Sequence, residues 1–331
     1  MERDTSPVGD GGGTLLVASA GGHLEQLVRL RDRIRPKPAE VTWVTSDEPQ
    51  TRSLLAGENV VHLRYVPPRR ADIVLANMRA ANDVLKKERF ARVVTTGSAM
   101  ALSVLVLARA RGIPCHWIES SARAIGPSVT GRIVSTFPGM HLYTQYPSWS
   151  NQRWLYRGSV LDAYQAVSVD PPPNGLARRV VVTLGTMKTY SFRRALDAVL
   201  RVLPDVVAPD AHVLWQTGVT DVRGLEIDAH PTLSGALLHE AVAAADLVIA
   251  HAGVGSALTA LDRGKTPVLL PRLKARHEMV DDHQLLIAAE LQSRGLAVSR
   301  SPDELTPADL QLAMRSGVSA TRQGAPFELV E

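Results

Sequence analysis

The stretch DLVIAHAGVGS, residues 246–256, decides the fold. An apolar run reads as a buried strand, a glycine-rich turn follows, and a helical pattern opens at 254. Gly253 and Gly255 let the backbone come close to a bulky anion, and the amides at a helix start carry partial positive charge. Ser256 adds a hydroxyl donor. This chemistry suits a diphosphate; the plainer alternative is a tight strand–helix turn with no ligand. Two other phosphate motifs fail on inspection. A P-loop ending at Gly264-Lys265-Thr266 needs a glycine where Thr259 stands, and a dinucleotide fingerprint needs one where Leu258 stands. Hydride transfer is therefore disfavoured.

The same strand–turn–helix pattern recurs in both directions from this stretch. Strand-like runs fall at 14–19, 41–45, 60–66, 91–96, 115–119 and 141–144, then at 179–184, 212–216, 246–250, 267–270 and 296–299. Helical patterns lie between them at 23–35, 71–87 and 98–111, then at 191–203, 234–244, 254–262, 281–293 and 307–316. Such alternation is the mark of parallel βαβ units, so the expected class is α/β with two doubly wound, Rossmann-like domains. The triple proline in SVDPPPNG, 168–175, cannot continue a helix or a central strand. It sets the expected boundaries: a lead-in at 1–13, one domain at 14–167, a linker at 168–178 and a second domain at 179–331. Ligands of such folds bind beyond the carboxyl ends of the strands, here in an expected interdomain cleft.

Three further segments carry chemistry. PRLKARHEMVDDHQ, 271–284, offers Arg272, Lys274 and Arg276, then Asp282, His283 and Gln284 at a helix start. Carboxylate and amide groups there suit sugar hydroxyls, although Asp281 and Asp282 also suit helix capping. His277-Glu278 does not complete a zinc-binding HExxH, because Asp281 occupies the last place. ASAGGHLEQ, 18–26, puts His23 at a helix start, where an imidazole is a candidate general base. WIESSAR, 117–123, puts Glu119 at a strand end, as a second candidate base or as an ordinary ion-pair partner of Arg123.

Bulk properties narrow the class. The 331 residues are 45% hydrophobic and 21% charged, which is a globular composition. The single cysteine, Cys115, forms neither an intramolecular disulfide nor a thiolate metal cage, which fits a reducing, cytoplasmic setting. The longest near-continuous apolar run, 99–108, is about half of what a bilayer span needs. Residues 1–160 hold 21 Lys+Arg against 13 Asp+Glu, and residues 161–331 hold 16 against 20. The basic half, with RYVPPRR at 64–70 and the apolar-basic helix after it, is expected to dock on an anionic membrane. No Asp-x-Asp triplet occurs, so no metal–diphosphate clamp is expected, and no cofactor.

HAGVGS at 251–256 and DDHQ at 281–284 resemble the donor half of MurG-type glycosyltransferases. They look most like the small catalytic subunit of the two-subunit transferase that adds the second N-acetylglucosamine to the dolichol-linked precursor. TLGT at 183–186 and QTG at 216–218 fit the same family. SAGGH at 19–23, TTGS at 95–98 and IESSARAIGPSVTGR at 118–132 resemble the partner subunit, which holds the lipid-linked acceptor. Bacterial exopolysaccharide clusters carry a similar glucuronosyltransferase pair. The chain reads as both halves fused, without the membrane-anchoring helix usual before the acceptor half and with a shortened first loop.

The resemblance implies the two-lobed GT-B fold and an inverting, metal-independent transfer of glucuronate or N-acetylglucosamine from a UDP-sugar to a lipid-linked acceptor, at the inner face of the plasma membrane and without nucleic acid. It assigns His251, Gly253, Gly255 and Ser256 to the diphosphate, Asp282 and Gln284 to the sugar, and Gly185, Thr186, Gln216, Thr217 and Gly218 to the nucleotide. Gly21, Gly22, Gly97, Ser98 and Arg123 fall to the acceptor. A UDP-sugar epimerase on the same fold and a non-catalytic nucleotide-sugar-binding subunit are the alternatives.

Overall fold

The computed structural model describes residues 12–67, 70–187, 189–321 and 324–330. The chain forms two compact units. The first takes the chain up to Ser120, then Gly126–Val160 and the tail from Ala325; the second takes Ser121–Ile125 and Leu161–Gly324.

In the first unit the elements are β1 Gly13–Val17, α1 Gly22–Arg31, β2 Ile34–Arg35, β3 Val41–Ser46, α2 Pro49–Leu54, β4 Asn59–Leu63, α3 Ala71–Lys87, β5 Phe90–Thr95, α4 Ala99–Ala110, β6 Cys115–Ile118, α5 Val129–Ser135, β7 Met140–Thr144 and β8 Trp154–Tyr156. Seven strands form one sheet in the order β4-β3-β1-β5-β6-β7-β8, every pairing parallel. Its central strands β1 and β6 are buried along their whole length because both faces are covered. Leu15, Val17, Val44, Val93, Trp117 and Leu142 pack with Met100, Val104 and Leu105 of α4 in one buried cluster.

The second unit continues with β9 Tyr164–Ser168, β10 Ala177–Thr183, α6 Arg193–Val202, β11 Val207–Gln216, β12 Ala229–His230, α7 Gly235–Ala244, β13 Leu247–His251, α8 Val254–Asp262, β14 Val268–Leu270, α9 His283–Ser293, β15 Val298–Ser299, α10 Pro307–Met314 and β16 Ser316–Ala320. Its six-stranded parallel sheet runs β12-β11-β10-β13-β14-β15. Val180, Val182, Ile249 and Leu270 meet Phe192, Leu196 and Val199 in its core. Both sheets are those expected of a doubly wound α/β chain.

The differences have local causes. The boundary falls at 160/161, not at 168, because β9 pairs antiparallel with β16 and the Tyr164 hydroxyl donates to Asp262 at 2.5 Å. The strand expected to reach 66 stops at Leu63, since the Asn77 side chain takes both the N–H and the C=O of Arg64. The helix expected at 23–35 ends at Arg31, and Ile34–Arg35 instead pairs with β17, Phe327–Glu328. The tail thus returns to the first unit. Arg33 donates to the Ala325 carbonyl, the Val330 amide donates to the Tyr143 hydroxyl, and the fully buried Phe327 ring meets Tyr143 edge-on at 5.5 Å. Phe327→Ala should cost about 3–5 kcal/mol in urea unfolding monitored on the first unit. An unchanged midpoint would show that the tail does not stabilise this unit.

Beside that ring, His116 is 3% exposed, stacked on His141 and hydrogen-bonded to the Tyr143 hydroxyl at 3.0 Å. Burial, then the charges of His141 and Arg92, hold its imidazole down at about 3. The unfolded chain binds this proton below about pH 6.5 while the folded one does not, so acidification from there towards pH 3 costs stability. We expect wild-type unfolding free energy to fall by about 2 kcal/mol more between pH 7 and 5 than that of His116→Gln. Parallel slopes would contradict this.

Candidate functional site

In the second unit the decisive stretch folds as its residues dictate. β13 ends at His251, Gly253 is the N-cap of α8, and Gly255 and Ser256 lie in the first turn. That turn leaves amides without an intrahelical acceptor, at the positive end of the helix dipole. The glycines here make room for an imidazole as well as a backbone. A Cβ on Gly253 would stand 2.2 Å from His251 Nε2, and one on Gly185 would stand 2.7 Å from its Cε1. Gly185 has φ +81°, and Gly218, at φ +62°, lies against the Gly185 carbonyl, 2.5 Å from where its own Cβ would be. The loops after β10 and β13 therefore close around one ring, and the loop after β11 backs the first of them. Ser256 Oγ is 3.5 Å from His251 Nδ1. Burial foremost, then the charge of Arg272, holds His251 at about 3, so the imidazole is neutral before an anion arrives.

The residues of TLGT and QTG divide. Gly185 is partly exposed and Thr186 exposed, at the mouth of their loop. Gln216 and Thr217 are buried: the Thr183 hydroxyl donates to Gln216 Oε1 at 2.5 Å, and Thr217 N–H donates to the His230 carbonyl. They shape the loop from within.

The 271–284 segment differs more from expectation. Arg272 is 2% exposed and faces inward. Its guanidinium donates to the carbonyls of Leu184, Tyr190, Ser191 and Glu278, and lies 4.5 Å above the Phe192 ring. It straps the loop after β10 to the loop after β14 and is not a surface cation. Glu278 forms a two-pronged pair with Arg194 at 2.8 and 2.9 Å, and Arg276 pairs with Asp303. Gln284 is buried, its carbonyl oxygen accepting from the Arg272 amide, while exposed Asp282 accepts from the Lys274 amide. The helix starts at His283, two residues later than expected, because Asp281 turns back to bond the His283 amide and ring. Arg123 Nη2 also reaches Asp281, at 2.9 Å, and these partners hold that carboxyl below the usual carboxylate range.

In the first unit the loops after β1, β5 and β6 carry Gly21, Gly22, His23, Gly97, Ser98 and Glu119, whereas Arg123, expected with them, falls in the second unit. Gly21, with φ +89°, caps α1, and its amide donates to Gln50 Oε1; the Gly22 carbonyl accepts from Gln26. His23 Nδ1 lies 2.8 Å from the Thr96 carbonyl, and the Thr96 hydroxyl donates to the His23 carbonyl. A carbonyl only accepts, so Nδ1 carries a proton, and in the neutral ring the lone pair lies on Nε2, the form a general base requires. Gly97, at φ +109°, forms the seat: a Cβ there would lie 3.2 Å from both His23 Cε1 and Trp117 Cζ2. Ser98 has φ +84° and a buried hydroxyl without a partner.

Glu119 does not pair with Arg123. It is 1% exposed, and its carboxylate accepts from Trp117 Nε1, the Ser120 amide, and the amide and hydroxyl of Ser128. Burial pushes its carboxyl up, against the pull of those donors. The pairing read from sequence fails because 120–128 is a turn, with no helix to align residues four apart. Trp117, Thr96 and Ser128 escaped sequence reading, since each acts through a contact that no local pattern announces.

Residues 179–325 match the C-terminal domain of glycosyltransferase family 28. The chain is 27% identical over 223 residues to the UDP-N-acetylglucosamine--N-acetylmuramyl-(pentapeptide) pyrophosphoryl-undecaprenol N-acetylglucosamine transferase of Solidesulfovibrio magneticus, a match covering 61% of this chain and 58% of that protein. The transferase of the same name from Chlorobium phaeobacteroides is 28% identical over 272 residues, covering 77% and 71%. Among solved structures, Acinetobacter baumannii MurG superposes with a TM-score of 0.55 at 18% identity, over 90% of this chain and 88% of that one. The fold is GT-B, and the class is that of the glycosyltransferases. Within that class, it is the second unit that is similar to the family 28 C-terminal domain.

Proposed function

We propose that this protein transfers N-acetylglucosamine from UDP-N-acetylglucosamine to a lipid-linked acceptor, in one displacement with inversion and without a metal. The observation that carries this is the head of α8, with neutral His251 and Ser256 beside free amides, inside the segment that matches family 28. There the leaving diphosphate gains its negative charge against preorganised donors. The relatives' printed names supply the donor and the lipid-pyrophosphate character of the acceptor. A neutral sugar fits better than glucuronate, because Arg272 is spent on carbonyls and Arg276 on Asp303. The first unit, resembling the acceptor subunit, presents His23 Nε2 to the acceptor hydroxyl. Calorimetry with UDP in EDTA tests the donor site. Binding should persist, and its loss on chelation would overturn the metal-free clamp.

Membrane docking belongs to the same reading. Among the described residues no helix is long and apolar enough to cross a membrane. Pro68 and Arg69 lie outside the described residues, and Arg70 is already paired with Asp72 at 2.6 Å. Ile73, Val74 and Met78 are half-buried, leaving Tyr65 and Leu75, at 51% and 68% exposure, beside exposed Arg64 and Arg79. Anionic vesicles should therefore co-sediment the protein at low salt, and Leu75→Ser with Arg64→Glu should release it. Equal recovery with neutral vesicles would contradict this.

A further inference from the structure

The buried carboxylate of Glu119 directly follows β6, one contact away from the seat of His23. Its Oε2 holds three donors, Trp117 Nε1 at 3.2 Å and the amide and hydroxyl of Ser128 at 3.3 Å each, while Oε1 holds the Ser120 amide at 3.3 Å. The Ser128 hydroxyl in turn accepts from the Gly131 amide and so caps α5. Gly131 has to be a glycine for this, since a Cβ there would fall 2.1 Å from Glu119 Oε2. On the other side, Trp117 is fully buried, and a Cβ added at Gly97 would lie 3.2 Å from both its ring and the His23 ring. A group so enclosed has no path to an acceptor hydroxyl. It does control where the Trp117 ring sits, and through Gly97 where the imidazole sits.

We propose that Glu119 is a positioning residue for His23, acting through Trp117 and Gly97, and that it does not itself take the acceptor proton. This rests on the reading of His23 as the base. The mechanism makes Glu119→Gln informative. The amide oxygen of glutamine can occupy the three-donor place, leaving only the Ser120 amide opposed to an NH2 group. Alanine leaves all four donors unmet and frees the indole to shift. A displacement of about 1 Å at a reacting group costs about a hundredfold.

The test measures transfer kinetics, donor affinity and the 15N chemical shifts of the His23 ring in the full chain. Glu119→Gln should keep kcat within about fivefold of wild type with the same pH profile, whereas Glu119→Ala should lose about a hundredfold in kcat with donor KM unchanged. The ring should show a single Nδ1–H tautomer in wild type and in Glu119→Gln, and a mixture in Glu119→Ala. Trp117→Phe, which removes only the indole donor and part of the ring, should shift the tautomer in the same sense and serves if the alanine variant does not fold. Glutamine as inactive as alanine, with a lost limb in the pH profile, would make Glu119 the base. An unmoved tautomer in both Glu119→Ala and Trp117→Phe would remove the link to His23. Absence of transfer by wild type would instead overturn the proposed function, while the tautomer result would still report on Glu119.

Discussion

His23→Ala should lower kcat for sugar transfer by about 10²–10⁴-fold, the usual worth of a positioned general base, and leave UDP affinity unchanged. The expectation comes from one hydrogen bond. The Thr96 carbonyl at 2.8 Å fixes the ring proton on Nδ1, and the Thr96 hydroxyl ties the His23 backbone to the same loop. The imidazole is thus fixed in both tautomer and position before an acceptor arrives. Thr96→Val keeps the carbonyl and loses only the hydroxyl, so it should cost far less than the histidine variant. A change below threefold in His23→Ala would take the first-unit loop out of the chemistry.

Gly253→Ala should weaken UDP binding at least tenfold in a protein that still unfolds cooperatively, which corresponds to about 1.4 kcal/mol. The added Cβ would stand 2.2 Å from His251 Nε2, so the imidazole has to leave its place between Gly185 and Gly253. Displaced, it enters the space in front of the first turn of α8, where the diphosphate charge is to be held. Gly185→Ala meets the same ring at 2.7 Å and adds the strain of a side chain at φ +81°. The two substitutions press on one imidazole, so the double variant should be less than additive. Unchanged affinity in both single variants, with cooperative unfolding retained, would move the diphosphate away from α8.

The parts of this molecule that were legible in its sequence are those written in local pattern. DLVIAHAGVGS announces a strand, a turn and a helix, and α8 begins and ends where the pattern does, Val254–Asp262. Both parallel sheets follow from the alternation of apolar runs and helical stretches. His23 and Glu119 were each read from their own motif as lying at the carboxyl end of a strand, and the loops after β1 and β6 carry them there.

What escaped depends on partners distant in sequence or on burial. Arg272 reads as one cation in a basic loop, and only the folded chain shows it turned onto the Leu184 carbonyl 88 residues away. Arg33 meets Ala325 across 292 residues, so the return of the tail leaves no local trace. β2, β12 and β17 are two residues each, too short for any periodicity. Glu119 and Arg123 illustrate the opposite failure. Their spacing of four suggested a pair, but spacing means proximity only on a helix, and this segment is a turn.

The most direct test of the central claim is a transfer assay in EDTA with UDP-N-acetylglucosamine and a polyprenyl-pyrophosphate-linked saccharide, followed by NMR of the product's anomeric centre. UDP should be released one for one with the formation of a β-linked N-acetylglucosaminyl product, the inverse of the α-linked donor. Product of retained α configuration, a donor returned as its epimer, or transfer that stops on chelation and returns with a divalent cation would contradict the account.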